Sequence, residues 1–155
     1  MTPRTTVGWQ EWLAFPELNL PAVRAKIDTG ARTSALHARE IRTEVRDGET
    51  VALFVANPLF RGHQLAVACE AVVVDEREVT SSSGHTELRV VIEAMLRLGL
   101  STDAPEWPVE LSLTDRDGMR FPMLLGREAM AGRVLVDSGG SYLLGRPDHP
   151  GAFYE

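Results

Sequence analysis

The sequence predicts an all-β domain, either a closed barrel or a sandwich. Three observations carry this. Short apolar and β-branched runs recur along the chain, with turn residues between them every ten or so positions. Two of these runs, one from Glu87 and one from Val109 to Leu113, alternate polar with apolar residues as half-buried strands do. One short helix is expected, Glu128 to Gly132, ended by its glycine.

Taken in order, Val7 to Phe15 mixes aromatic and apolar residues, and Phe15-Pro16-Glu17-Leu18-Asn19 reads as a turn. Leu20 to Ile27 is the returning strand, so the chain opens with a hairpin. Thr33 to Arg39 fits a helical turn or the start of the next strand. Ile41 to Val45 and Thr50 to Val55 flank Arg46-Asp47-Gly48-Glu49, a hairpin signal. Asn57-Pro58 and Arg61-Gly62-His63 mark a loop, and Ala66 to Val74 is expected to be a buried strand. Ser81-Ser82-Ser83-Gly84 joins two strand-like arms, the second reaching Leu96. After a loop from Leu98 to Trp107 come the strand at Val109 and a hairpin turn at Asp115-Arg116-Asp117-Gly118. Phe121 to Leu125, Arg133 to Val136 and Ser141 to Leu144 are the late strands. Residues 1–155 form one domain with its core at about 5–145, and the tail after Gly145 is expected to be loose.

Composition narrows the function classes. Hydrophobic residues make up 44% and charged residues 25%, an ordinary globular mixture. A net charge of −6 argues against a nucleic-acid partner. Cys69 is the single cysteine, so no disulfide framework or zinc knuckle is available, and its apolar surroundings predict an inert thiol. No apolar leader or membrane-length stretch is visible, and the cytoplasm is the expected compartment. His37, His63, His85 and His149 lack ligand spacing, so no metal is expected. A Gly-x-x-x-x-Gly-Lys phosphate loop is also missing, and no cofactor is expected.

The chemistry concentrates at Lys26-Ile27-Asp28-Thr29-Gly30-Ala31. A hydrophobic strand through Val23, Ala25 and Ile27 delivers a carboxylate into a tight turn. That is half of a water-activating pair, because two neighbouring carboxylates share one proton. About a hundred residues later stands Met123-Leu124-Leu125-Gly126-Arg127-Glu128. Hydrophobic-Asp-Thr-Gly-Ala followed by hydrophobic-hydrophobic-Gly-Arg resembles the retropepsin type of aspartic peptidase. Lys-Ile-Asp-Thr-Gly-Ala-Arg-Thr-Ser, with Ser-Ser-Ser-Gly-His-Thr-Glu-Leu-Arg downstream, is similar to a bacterial group labelled ATP-dependent zinc proteases and now regarded as retropepsin-like.

The resemblance implies an acid-protease-like closed β-barrel with one short helix near the C-terminus. It implies an endopeptidase in which Asp28 is the acid/base, with Thr29 and Gly30 bracing it and Leu125, Gly126 and Arg127 lying beneath. The partner carboxylate is expected to be Asp28 of a second copy in a homodimer. Asp137-Ser138-Gly139 is rejected as a second catalytic turn, since about eighteen residues follow Asp137, too few for another lobe. Ser81, Ser82, Ser83, Gly84 and His85 are the candidate flap over substrate.

Lys26, Ala31, Arg32 and Arg89 complete the candidate substrate-binding set. Lys26 and Asp28 share a strand face. In retroviral relatives the position of Lys26 is apolar and that of Arg32 is acidic. Two cations there predict an electropositive cleft and acidic, glutamate-rich peptide substrates. The change also takes from Arg127 its usual acidic partner, with Glu128 or Glu40 as replacements. Relatives of this group are often linked with ligases that add glutamates to proteins, which suits such a cleft. A non-catalytic peptide-binding module on the same fold is the alternative, and a zinc peptidase the third reading.

Overall fold

A computed structural model describes residues 3–59, 65–80, 83–115 and 120–155. The chain is mostly strand: β1 (Thr5–Val7), β2 (Gln10–Phe15), β3 (Leu20–Ile27), β4 (Ser34–His37), β5 (Arg39–Arg46), β6 (Glu49–Ala56), β7 (Val67–Thr80), β8 (Thr86–Arg97), β9 (Glu106–Thr114), β10 (Met123–Leu125) and β11 (Val134–Val136). One short helix, α1 (Arg127–Met130), follows β10, and 3-10 turns occupy Pro16–Leu18 and Pro150–Tyr154. No helix among the described residues is long and apolar enough to cross a membrane.

Nine strands form one sheet in the order β2-β3-β10-β4-β9-β8-β7-β6-β5. A single ladder pair, Ala14 with Arg97, joins β2 to β8. β1 and β11 make a separate parallel pair. The core fills with the inward positions of β2, β3, β8, β9 and β10, among them Leu13, Val23, Ala25, Ile92, Leu111, Met123 and Leu125.

Local sequence explains most elements. β3 alternates, with Val23, Ala25 and Ile27 buried while Arg24 and Lys26 face outward. Pro16 starts the turn before it, and Asn19 closes that turn at φ 59, the left-handed region Asn tolerates. Asp47 and Gly48 both have positive φ, as a two-residue hairpin turn between β5 and β6 requires.

Of the two readings open for Thr33 to Arg39, the strand holds: β4 forms because Ser34–His37 finds parallel pairing with β9 and antiparallel pairing with β10. Several other expectations need correction. The expected buried strand Ala66 to Val74 is the start of β7, and Val72 and Val74 are exposed. β9 and β10 do not form a hairpin: each pairs with β4 between them. Of the turn expected there, Arg116-Asp117-Gly118 lies outside the described residues. Ser141 to Leu144 is a turn instead of a strand. The tail is anchored, for the Tyr154 hydroxyl bonds both the N–H and the carbonyl of Ala22, and burial pushes its pKa up. Cys69 is buried, its thiol donates to Leu18 O at 3.3 Å, and burial pushes it up to about 11.

Candidate active site

Asp28 leaves the end of β3 at the point where β10 ends beside it. β10 lies between β3, with Leu125 opposite Ile27, and β4, with Leu124 opposite Ala35. Met123 and Leu125 are fully buried, which fixes this three-residue strand in place. The Asp28 N–H donates to Leu125 O at 2.9 Å, continuing the ladder one step past the strand. The turn then closes on itself: Gly30 N–H donates to Asp28 Oδ1 at 2.9 Å, and Ala31 N–H to Asp28 O at 3.2 Å. One carboxylate oxygen is therefore held by the turn. The other, Oδ2, lies 4.0 Å from Lys26 Nζ on the same strand face; Lys26 is exposed and Asp28 half-buried.

Gly126 and the residues after it underpin the turn. Ser34 is buried and accepts the Gly126 N–H at 3.0 Å. A Cβ on Gly126 would stand 2.6 Å from the Thr33 carbonyl and 3.0 Å from Ala31 O, so only glycine fits. Arg127 and Glu128 then donate backbone N–H groups to Ala31 O (2.8 Å) and Arg32 O (3.1 Å). Arg127 Nη1 reaches Thr29 O at 3.2 Å. Asp28, Thr29, Gly30, Ala31 and Arg32 thus share one hydrogen-bonded unit with Leu125, Gly126 and Arg127.

The side-chain partners differ from the expectation. Glu128 pairs with Arg32, Nε to Oε1 at 2.7 Å, and Arg127 takes a backbone carbonyl instead. The pair is exposed, so its contribution to stability is about 0–1 kcal/mol. It does attach the start of α1 to the segment that leads from the Asp28 turn to β4.

The candidate flap is the far end of the β7–β8 hairpin. Ser81 and Ser82 lie outside the described residues. Ser83, Gly84 and His85 are exposed, with Gly84 at φ +83. Arg89 sits opposite Arg77 in that hairpin and forms no hydrogen bond or ion pair with the Asp28 turn among the described residues. His37, one of the four scattered histidines, stands 3.8 Å from Asp115. No group of three or more His, Cys, Asp or Glu side chains gathers among the described residues.

A buried carboxylate was not foreseen. Glu11, on β2, is fully buried. Its Oε2 accepts N–H groups from Gly8 (2.7 Å) and Leu143 (2.9 Å), and its Oε1 accepts from Leu144 (3.0 Å). This clasps the segment after β11 onto the segment before β2. There Trp9 N–H donates to Gly140 O, and Trp9 O accepts the N–H of Ile27, the residue before Asp28, both at 2.8 Å. The Asp137 turn copies the bonding of the Asp28 turn: Gly139 N–H donates to Asp137 Oδ1 at 3.0 Å, and Asp137 N–H to Val7 O. A lone acidic residue in Gln10-Glu11-Trp12-Leu13, an otherwise core-bound strand, was the available signal.

Residues 6–147 match the family model described as the retropepsin-like aspartic endopeptidase RimB. The chain belongs to this RimB-like family. Among curated proteins it is 45% identical over 139 residues to a probable alpha-L-glutamate ligase of Shewanella pealeana, covering 90% of this chain and 30% of that protein. It is 46% identical over 156 residues to a protein of the same name from Parasynechococcus marenigrum, covering 99% of this chain and 33% of that one. The chain therefore spans about a third of the length of these curated relatives. A crystal structure of a Legionella pneumophila protein of unknown function shares the fold, with a TM-score of 0.73, 24% identity, and coverage of 92% of this chain and 99% of that one.

Proposed function

We propose that this RimB-like chain is an aspartic endopeptidase whose dyad is completed by Asp28 of a second copy. The observation that carries this is the braced turn, in which one Asp28 oxygen is fixed by Gly30 while the other lies 4.0 Å from Lys26 Nζ. Two such carboxylates on a two-fold axis share a proton. One draws a proton from water as it attacks the peptide carbonyl and later passes that proton to the leaving amine; the other protonates the carbonyl oxygen and recovers its proton as the tetrahedral intermediate collapses. We read the ring β2-β3-β10-β4-β9-β8, returning to β2 through Ala14 and Arg97, as the closed barrel of such an enzyme. The free edge of β11, where Leu135 is 49% exposed, is the surface we assign to the partner copy. Ser81 to His85 close over the substrate.

Glutamate-rich peptides are the substrates we favour. Lys26 supplies a cation beside the carboxylate, and the curated relatives are named as glutamate ligases. A domain within such a protein can cut or trim the glutamyl peptide the remainder makes. Those names also favour a second reading, a non-catalytic module that holds the acidic peptide for ligation. Incubating the protein with glutamate-rich and apolar peptide libraries, with mass-spectrometric readout, separates the two. The hydrolase reading expects cleavage that Asp28→Asn abolishes, with dimers in sedimentation velocity. A strictly monomeric protein, or cleavage surviving Asp28→Asn, refutes it.

A further inference from the structure

The face of β3 that carries Asp28 continues away from it as a strip of cations laid on aromatic rings. Lys26 and Arg24 point outward at alternate positions. The Arg24 guanidinium lies over Phe121, 4.6 Å from the ring centroid. Trp9 meets Phe121 edge-on, centroids 6.1 Å apart at 81°. On its other side Arg24 Nη1 stands 3.5 Å from the Tyr142 hydroxyl. Tyr142 carries Arg146 over its ring at 4.7 Å and donates its hydroxyl proton to Gln10 Oε1 at 3.0 Å. Its φ is 55, a left-handed conformation that bulky residues avoid. That conformation is kept where the ring lies under Arg146 with its hydroxyl beside Arg24.

We propose that this strip is a binding subsite for the acidic side chains of an extended peptide, with Lys26, Arg24 and Arg146 each taking a carboxylate. The proposal rests on the reading of Asp28 as the point where a peptide binds. Three features of the strip argue for it. A guanidinium stacked on a ring keeps its edge N–H donors free for a carboxylate. Neither Arg24 nor Arg146 forms an ion pair with a carboxylate among the described residues, although acidic residues outnumber basic ones 22 to 16 in the chain. Alternate positions on a strand are about 6.6 Å apart, which is also the repeat of same-side side chains in an extended peptide. Residues two apart in the ligand therefore meet Lys26 and Arg24 in register. Phe121 and Tyr142 each have a ring face covered by a guanidinium, which disfavours the base stacking that single-stranded nucleic acid needs.

The test uses the full chain carrying Asp28→Asn, so that nothing is cut, and fluorescence anisotropy of labelled six-residue probes. These are alternating Glu-Ser, a block of three Glu then three Ser, alternating Gln-Ser, and oligothymidine. The alternating Glu peptide should bind best, with the Gln peptide at least about tenfold weaker. Arg24→Gln and Arg146→Gln should each weaken it by about tenfold, and Phe121→Leu, which keeps Arg24 but removes its stack, by several-fold. Arg146 is exposed, so its variant should keep its melting temperature and guards against a folding artefact. Unchanged affinity in both arginine variants, equal binding of the Gln peptide, or tighter binding of oligothymidine overturns the assignment. If the parent protein cleaves nothing while Arg24-dependent binding persists, the subsite stands and the hydrolase falls. Cleavage of acidic peptides with an unaltered KM in Arg24→Gln removes the subsite and keeps the hydrolase.

Discussion

Glu11→Gln is a sharp probe of how this fold holds the Asp28 turn. The carboxylate has no exposed surface and accepts three backbone N–H groups, two at Oε2 and one at Oε1. An amide of the same shape has one acceptor oxygen. Its best placement keeps that oxygen on Gly8 and Leu143 and turns its NH2 toward the Leu144 N–H. One charge-assisted bond is lost, at about 1.5–3 kcal/mol, and the two remaining bonds fall to neutral strength, at roughly 0.5–1 kcal/mol each. The expected loss is about 3 kcal/mol, against a total stability of order 5–15 kcal/mol for such a domain. At this size that lowers Tm by about 6–12 °C. Glu11→Ala leaves three buried donors unpaired and should cost more, about 3–6 kcal/mol. Urea unfolding followed by tryptophan fluorescence measures both variants, and hydrogen exchange at Leu143 and Leu144 localises the effect. A Gln variant within about 1 kcal/mol of the parent, or one more damaging than Ala, would show that the carboxylate is not a three-donor clasp.

Asp28→Asn should abolish peptide cleavage while moving Tm by no more than a degree or two, because its Oδ1 can still accept the Gly30 N–H. Gly126→Ala must push its Cβ off the Thr33 carbonyl at 2.6 Å. It should cost about 1–3 kcal/mol in denaturant unfolding and reduce activity more than stability, since Ala31 and Arg32 move with it. Cys69 should resist thiol reagents at pH 8 in the folded state. Its raised pKa stabilises the fold fully below about 9, and that contribution is lost as pH rises toward about 11, so Cys69→Ala should flatten the alkaline decline. Leu135→Arg should leave the monomer folded but shift sedimentation toward it and remove activity in proportion.

Much of this fold could be read in the sequence where the cause is local. β3 follows from its alternation, the β5–β6 turn from Asp47-Gly48, and α1 from the residues after Gly126. The pairing of the Asp28 turn with the Leu125-Gly126-Arg127 segment was legible because two short motifs mark it. What stayed hidden depends on distant partners. Ser34–His37 is too short to declare itself and becomes a strand only between β9 and β10. The exposure of Val72 and Val74 reflects what fails to cover β7, which composition does not record. Arg127 and Glu128 are adjacent, yet Glu128 turns to Arg32, ninety-six residues away in sequence. The Glu11 clasp and the Tyr142 ring both rely on the segment after Asp137 folding back on β2, more than a hundred residues earlier.

That fold-back changes how the position of Asp28 should be understood. β10 fixes the carboxylate from one side through Leu125 O. From the other side the support is relayed: Gly140 O holds Trp9, Trp9 O holds Ile27, and Ile27 precedes Asp28. Glu11 locks this relay by binding Gly8 together with Leu143 and Leu144. Gly8 leaves no room for adjustment, since a Cβ there would stand 2.2 Å from Gly140 O. A dyad across a two-fold axis doubles any displacement of one carboxylate, because the partner moves by the same amount in the opposite sense. Two carboxylates that must share a proton tolerate little of this. A buried carboxylate that ties the segment after Asp137 to the segment before β2, beside the Asp28 turn, is the kind of support the proposed dyad would require.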